Sequence, residues 1–148
     1  MIELSNQLTK VVDGAAQEFA GWTDAETARR AKPDAWSKKE ILGHLIDSAS
    51  NNHQRFVRAA LQDELTGPGY DQEGCVRLQR YQEIQWSDLL AFLASYNRFL
   101  AHVLASIPET KRTARCLIGN YPPMTLEELA ADYLRHLDHH LDQIRSGT

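Results

Sequence analysis

The stretch WSKKEILGHLIDSASNNHQRF, residues 36–56, predicts the fold class of this chain most directly. Ser37 and Glu40 have the spacing of a capping box, in which each side chain bonds a free backbone amide in the first turn of a helix. The apolar residues that recur at the spacing of a helix face are Ile41, Leu45, Ala49, Phe56 and Ala60. The pattern predicts a helix from Ser37 to about Leu61, before the turn sequence TGPGY (66–70).

Helical periodicity recurs in three further segments, and no short run alternates between apolar and polar residues as a strand does. The three segments cover residues 3–20, 87–107 and 125–145. We expect Ser87 to be the N-cap of the second of these segments and Pro108 to mark its end. Thr125 and Glu128 form another capping box at the start of the last one. These segments add three helices and no strand to the prediction.

Four helices in a chain of 148 residues predict an all-α four-helix bundle that forms a single domain, residues 1–148. About 24 residues (62–85) separate the second and third helices, whereas antiparallel neighbours in bundles are joined by roughly 2–8. A connection of that length can carry the chain back to the end of the bundle where the second helix started. We therefore predict an up-down-down-up topology with a long crossover between helices 2 and 3, in which helix 4 is antiparallel to helix 2.

Composition and charge argue against several classes of protein. The net charge of −4 and the pI near 5.8, with lysines and arginines scattered along the chain, argue against a nucleic-acid partner. No stretch has the roughly 18 consecutive apolar residues of a membrane span, and residues 1–14 lack the basic and apolar regions of a secretory signal. Cys75 and Cys116 form no CxxC pair, so we interpret them as reduced thiols. We expect a cytoplasmic protein that binds neither nucleic acid nor membranes.

Three of the six histidines lie in YLRHLDHHLDQI, residues 133–144. At about 100° per residue, His136 and His140 flank the apolar stripe of this helix, whereas His139 lies on its polar side. Two histidines four residues apart on one helix face converge and can chelate a metal ion. The alternative is a pair at the edge of the core that complements the helix dipole, and the pair by itself favours this alternative.

His44, in the second predicted helix, is the natural third ligand. It lies roughly 10 Å from the start of that helix, and His136 and His140 lie a similar distance from the end of the fourth. If the two helices are antiparallel neighbours, the three side chains share one level. The periodicity of the second helix argues the other way, because it assigns to solvent the polar stripe His44, Ser48, Asn51 and Arg55. In the functional interpretation, the same stripe lines a polar cleft between helices.

Residues 36–56, together with HLDHHLDQI (136–144), resemble the DinB/YfiT-like superfamily of metal-dependent enzymes. The matching residues around the second helix are Trp36, Ser37, His44, Leu45, Asp47, Ser48, Asn51, Arg55 and Phe56. The stretch 69–90 is also similar to the crossover of that superfamily. The resemblance implies an up-down-down-up bundle that holds a divalent metal, with the polar stripe lining the metal cleft and His139 outside the ligand set. The ligands that it implies are His44, His136 and His140.

The resemblance also implies a chemistry. Three neutral histidines leave one coordination position open, as in catalytic zinc sites. Relatives in the superfamily include metal-dependent transferases and isomerases that use low-molecular-weight thiols such as bacillithiol and mycothiol, so a thiol-dependent transferase is the first hypothesis. A metal-dependent hydrolase is the second, and a metal-binding or dimerisation module without turnover is the third. We expect zinc or nickel as the cofactor, with iron as a further alternative.

Substrate recognition is assigned to the polar stripe. Asn51 and Arg55 are the candidate substrate-binding residues, since an amide and a guanidinium can bind a carboxylate or amide group; an ion pair between Arg55 and an acidic neighbour is an equally good explanation. Asp47 is expected either to hydrogen-bond a ligand histidine or to contact solvent. No pattern identifies a catalytic residue. We expect a small-molecule substrate and a homodimer, because bundles of this type associate through helix faces.

Overall fold

The computed structural model describes residues 1–62 and 64–147, most of which are helical. The four long helices are α1 (Ile2–Phe19), α3 (Lys38–Gln62), α5 (Trp86–Ser106) and α6 (Leu126–Ser146). Two short helices, α2 (Asp24–Ala28) and α4 (Gln72–Gln79), lie in the connections that precede α3 and α5. Each long helix begins and ends within one residue of its predicted bounds.

Capping boxes begin two of the long helices, as predicted. At α3 the Ser37 amide donates to Glu40 Oε2 (2.8 Å), and the Glu40 amide donates to Ser37 Oγ (3.2 Å). Thr125 and Glu128 make the same pair of bonds at the start of α6. Each box satisfies two amides that have no partner inside the helix, which explains why both helices begin where the sequence indicates.

No side-chain cap stabilises the start of α5, and the prediction of Ser87 as its N-cap is wrong. The helix begins at Trp86, and the preceding residue makes no side-chain cap. The Trp86 amide donates instead to Asp24 Oδ1 in α2 (2.8 Å), and the Trp86 indole Nε1 donates to the Phe19 carbonyl at the end of α1 (3.0 Å). A tertiary contact therefore satisfies the amide that a local cap would otherwise bind.

A small sheet accompanies the bundle, which corrects the prediction of a purely all-α fold without strands. Its strands, in the order β1-β2-β3, are β1 (Glu64–Gly67), β2 (Arg115–Ile118) and β3 (Met124–Thr125). β1 pairs parallel to β2, and β2 pairs antiparallel to β3. Strands this short cannot show a clear alternation, and the parallel pairing joins segments about 50 residues apart, so periodicity could not reveal them.

The four long helices pack in a ring in which α1 contacts α5, α5 contacts α3, α3 contacts α6, and α6 contacts α1. The core lies between them, and its largest fully buried side chains include Phe19, Phe56, Leu93 and Leu137. At the start of α1, Ser5 Oγ donates to the Ala101 carbonyl near the end of α5 (2.7 Å). Within this ring, α3 and α6 pack face to face along the bundle.

By length and apolar composition alone, α5 is the one helix of the described residues that could cross a membrane. The core helix of a soluble protein passes the same test. In this fold, nearly half of the apolar stretch of α5 is buried inside the protein, where it packs against α1 and α3.

Candidate metal centre

Three histidines from two helices converge between α3 and α6. His44 comes from α3, and His136 and His140 come from consecutive turns of α6; one ligand atom from each lies within 4.8 Å of the others. The Nε2 atoms of His44 and His136 are 3.0 Å apart. Metal–nitrogen bonds are about 2.0–2.1 Å long, so two imidazoles bound to one ion hold their ligand atoms roughly 3 Å apart. The spacing of this pair therefore fits a shared divalent ion.

The burial of His44 decides between the two interpretations of its polar stripe. Its side chain is 0% exposed, so the assignment to solvent that periodicity favoured is wrong. The first half of α3 is buried on all sides, because α6 and α5 cover two of its faces and the crossover helix α4 covers another. His139 is exposed and lies outside the cluster of three. The packing of α6 and the crossover against α3 encloses His44 and Ser48, whereas Asn51 and Arg55 of the same stripe are half-buried.

All three histidines are neutral at pH 7. Burial, and then the neighbouring His136, lower the pKa of His44 to about 3. Burial, followed by His140, lowers the pKa of His136 to about 4, and burial lowers that of His140 as well. A neutral imidazole offers a nitrogen lone pair, which is the form that binds a metal. The donor set is therefore ready to bind a cation without first losing protons.

Hydrogen bonds on the outer ring nitrogens orient two of the histidines. His140 Nδ1 lies 2.8 Å from Gln143 Oε1; since an amide oxygen only accepts, this contact places the proton on Nδ1 and leaves Nε2 free to bind a metal. His136 Nδ1 lies 3.5 Å from Ser48 Oγ. Such contacts on the outer nitrogens are typical of metal-binding histidines.

Asp47 and His44 hold the two side-chain atoms that, within the described residues, are buried without a hydrogen-bond partner: Asp47 Oδ2 and His44 Nδ1. The other carboxylate oxygen, Oδ1, accepts from Tyr81 Oη (2.7 Å) and Gln79 Nε2 (2.6 Å). Gly43 makes room for this arrangement, because a Cβ there would lie 2.1 Å from the ring of Tyr81. The sequence raised Asp47 as a possible neighbour of a ligand histidine, and the structure buries its carboxylate one turn from His44.

A cleft of about 160 Å³ opens beside His136. Its polar lining includes Ser48, Asn52, Arg55, Tyr70 and Asp132, and its apolar lining includes Ile118, Met124, Leu129 and Tyr133. The side chains come from α3, the crossover, the sheet region and α6. Gly119, at a φ of 52°, turns the chain after β2, and its amide donates to the Gly67 carbonyl (2.8 Å) at the rim.

The two candidate substrate-binding residues lie in different surroundings. Arg55 lines the cleft beside His136. The Asn51 side-chain amide donates to the Asp47 backbone carbonyl (2.9 Å), and Asn51 lines only a neighbouring groove, which it shares with Arg55 and Gly67. The structure therefore brings Arg55, and not Asn51, to the cleft.

Sequence reasoning did not identify two side chains that lie next to the site. Gln143 could have been found, because it follows His140 by three residues and so faces it across one helical turn. Tyr70 could not have been found in this way, because it reaches the cleft from the crossover after a Gly-Pro-Gly turn. Its position depends on how the crossover folds back on α3.

The protein is a helical bundle in which three neutral histidines converge beside a cleft, a donor set that can hold a divalent metal ion. The chain belongs to the DinB superfamily, whose sequence profile matches residues 7–144. No curated protein matches the sequence. Among solved structures, the chain is similar to YfiT from Bacillus subtilis, described as a probable metal-dependent hydrolase with an unusual four-helix bundle topology. The TM-score is 0.85 at 20% identity, over 98% of this chain and 83% of that one, a likeness that concerns the fold.

Proposed function

We propose that this protein is a metal-dependent enzyme whose divalent ion is held by His44, His136 and His140. The observation that carries the proposal is the convergence of three neutral imidazoles beside an open cleft. Three histidine ligands leave room for a further ligand, as in catalytic rather than structural zinc sites. A bound divalent ion would supply Lewis-acid chemistry, lowering the pKa of a thiol or a water bound to it.

Thiol transfer is the first form of this proposal. The superfamily resemblance supports it, as does the composition of the cleft, which has apolar walls and few charged groups. In this form the three histidines would hold an ion that lowers the pKa of the thiol, Arg55 would hold a polar group of a substrate, and the apolar wall would exclude water from the reacting atoms. In this proposal, Asn51 contacts only a part of the substrate that extends into the neighbouring groove. The substrate is a small molecule, as the cleft volume of about 160 Å³ suggests.

Metal-dependent hydrolysis is the second form, and the printed description of YfiT favours it. Asp132 is the acidic side chain that lines the cleft within the described residues, so a hydrolase would have to rely on it as general base. Its carboxylate is exposed and pairs with Arg135 (2.9 Å). Thiol transfer does not depend on such a carboxylate, and the superfamily resemblance favours it, so we place thiol transfer first.

Several further expectations belong to the same proposal. Zinc or nickel suits a site of three imidazoles. The up-down-down-up course is supported by the contact of His44, near the start of α3, with His140, near the end of α6. Free cysteines support a cytoplasmic location, and the exposed Phe92 and Phe99 of α5 support association into a homodimer. A metal-binding module without turnover is the remaining alternative.

Metal analysis of the purified protein tests the site. We expect His44→Ala, His136→Ala and His140→Ala to lose most of the bound metal, and His139→Ala, the matched control on the same helix, to retain it. Equal metal content in the three site variants would refute the proposed ligand set.

Turnover assays then separate the two chemistries. Wild-type protein loaded with zinc or nickel is assayed with a panel of small thiols and an electrophilic aryl halide, and separately with a panel of esters and amides. Thiol-dependent turnover that is lost in His136→Ala supports the transferase. Hydrolysis that is lost in both His136→Ala and Asp132→Asn supports the hydrolase, and the absence of metal-dependent turnover in both panels would favour the binding module.

A further inference from the structure

Arg55 is a half-buried cation whose hydrogen-bonding capacity is largely unused. Nη1 donates to Asn52 Oδ1 (3.4 Å) and Nη2 donates to the Pro68 carbonyl (3.2 Å). A guanidinium has five N–H donors, so several remain. Among the described residues, no carboxylate pairs with Arg55. Nε has no partner and is not enclosed, so this donor is accessible from outside the protein.

Tyr70 adds a second donor at the same place. It lines the cleft together with Arg55. Burial, and then the charge of Asp47, raise the pKa of its phenol to about 12, so the hydroxyl stays protonated at neutral pH. A guanidinium and a neutral phenol together form a site for an anion, because both donate hydrogen bonds and neither carries negative charge.

One wall of the cleft is apolar. Ile118, Met124, Leu129 and Tyr133 line it, and Tyr121 lies at the rim with 65% of its surface exposed. A volume of about 160 Å³ accommodates a small organic molecule. The lining therefore suits a ligand with an acidic group at one end and a hydrocarbon body at the other.

The charges around the cleft also favour an anion. The histidines are neutral, and the one acidic side chain of the lining within the described residues, Asp132, is paired with Arg135. Asp47, whose negative charge raises the pKa of Tyr70, does not line the cleft, so Arg55 is the one cationic side chain of the lining within the described residues. The alternative role for Arg55 is structural, since its bond to the Pro68 carbonyl ties α3 to the crossover.

We propose that the cleft recognises a small organic carboxylate, held by the Arg55 guanidinium and the Tyr70 hydroxyl, with its hydrocarbon body against the sheet and α6. This assignment rests on the proposed function, because it names the substrate class of the same site. The acid lies beside His136, so its body extends along the cleft next to the metal centre.

The test is a binding titration of the full-length, metal-loaded protein with phenylacetate and hexanoate, followed by NMR or calorimetry. Phenylacetamide, which has the same body without the charge, is the matched ligand. We expect the acids to bind at least about tenfold more tightly than the amide, because hydrogen bonds to a charged group are worth roughly 1.5–3 kcal/mol. Equal affinity for acid and amide would overturn the proposal.

Three variants assign the binding to particular residues. Arg55→Gln is expected to lose about tenfold or more in affinity for phenylacetate, and Tyr70→Phe about three- to tenfold. Arg58→Gln, which removes an exposed arginine one turn later on α3, is expected to bind like wild type. Unchanged affinity in Arg55→Gln would show that the acid binds elsewhere, for example on the metal, and would overturn the proposal.

Two further measurements distinguish a structural role of Arg55 from a role in binding the acid. If Arg55→Gln unfolds, two milder variants replace it: Arg55→Lys keeps the charge, and Tyr70→Phe keeps the hydrogen bond from Arg55 to Pro68. Both should still weaken the binding of phenylacetate relative to phenylacetamide. Wild-type selectivity in both variants would overturn the proposal. Metal content is measured on every variant. A protein that binds metal fully but does not prefer the acid to the amide would refute the carboxylate site and not the metal site. A protein that prefers the acid but binds no metal would support the carboxylate site and refute the proposed metal-dependent enzyme.

Discussion

At the scale of single residues, the proposed metal binding depends on three imidazoles that are shielded from water. His44 is fully enclosed, and its neighbours in the cluster are two more potential cations, so protonation of any one is opposed by burial and by the others. The same enclosure that keeps the lone pairs free for a metal makes the metal-free protein sensitive to acid.

We expect the metal-free protein to lose stability as the pH falls from about 6.5 towards 4. In the unfolded chain each imidazole has a pKa near 6.5, whereas in the folded chain the pKa of His44 is about 3 and that of His136 about 4. Between those values the unfolded state binds more protons, so the free energy of unfolding decreases on acidification, by up to about 1.4 kcal/mol per pH unit for each group.

Urea unfolding at pH 7 and pH 5 in the presence of a chelator measures this dependence. His44→Gln removes one of the titrating groups and should reduce the slope, whereas His139→Ala removes an exposed histidine and should leave it unchanged. An identical pH dependence in wild type and His44→Gln would contradict the prediction.

Asp47 is the second residue with a testable role. Its buried Oδ2 and the buried Nδ1 of His44 both lack a partner, and one hydrogen bond between them on metal binding would satisfy both. We expect Asp47→Asn to bind metal about 10–100-fold more weakly in a competition titration with a chelator, as is typical when such a partner is lost. Asp138→Asn, an exposed carboxylate on α6, is the control, and equal affinity in the two variants would count against this role.

At the scale of elements, the site depends on how closely the crossover approaches α3. Lys39 is 1% exposed; its ammonium pairs with Asp24 (2.6 Å) and donates to the Ile84 carbonyl (2.6 Å), which ties the start of α3 to the end of the crossover. Tyr81 enters the same region and packs where Gly43 leaves space. The crossover is therefore part of the wall of the site as well as a connection between helices.

Gly43→Ala is expected to destabilise the protein by about 1–3 kcal/mol, since the added Cβ would overlap the ring of Tyr81. Gly14→Ala is the matched control, because it also lies inside a long helix but its Cβ would meet nothing within 4 Å. Helix propensity alone should make that control more stable by roughly 0.5–1 kcal/mol. Denaturant unfolding of the two variants distinguishes the effects, and a stabilising Gly43→Ala would contradict the close packing.

At the scale of the whole molecule, the proposed metal links two helices that are distant in sequence. His44 lies on α3 and its partners on α6, and the crossover, α5 and strands β1 to β3 lie between the two helices in sequence. A cation bound there binds the native state preferentially and so stabilises the entire fold.

We therefore expect zinc or nickel to raise the melting temperature. At a free metal concentration of about 100 times the dissociation constant, the gain is about 2.7 kcal/mol, or roughly 5–10 °C for a chain of this size. A chelator should reverse it. His139→Ala should respond as wild type does and His44→Ala should not respond; an equal shift in His44→Ala would place the metal elsewhere.

The sequence by itself determined the features that depend on short stretches of chain. Apolar spacing and the two capping boxes placed the four long helices, because helical periodicity and end satisfaction are local properties. Local geometry also separated His139 from the pair His136 and His140, since residues four apart on one helix share a face. Matching of levels along two antiparallel helices and the family resemblance singled out His44, against the apolar pattern of its own helix.

Only the tertiary structure decided the rest. His44 and Ser48 of the polar stripe are buried because the crossover and α6 pack against α3, and a residue's exposure depends on the segments that pack against its helix. The three strands pair across long separations, the start of α5 is capped by Asp24 of another helix, and Tyr70 meets Arg55 through the fold of the crossover. Each of these features joins residues that are distant in sequence, so no local sequence pattern predicts it.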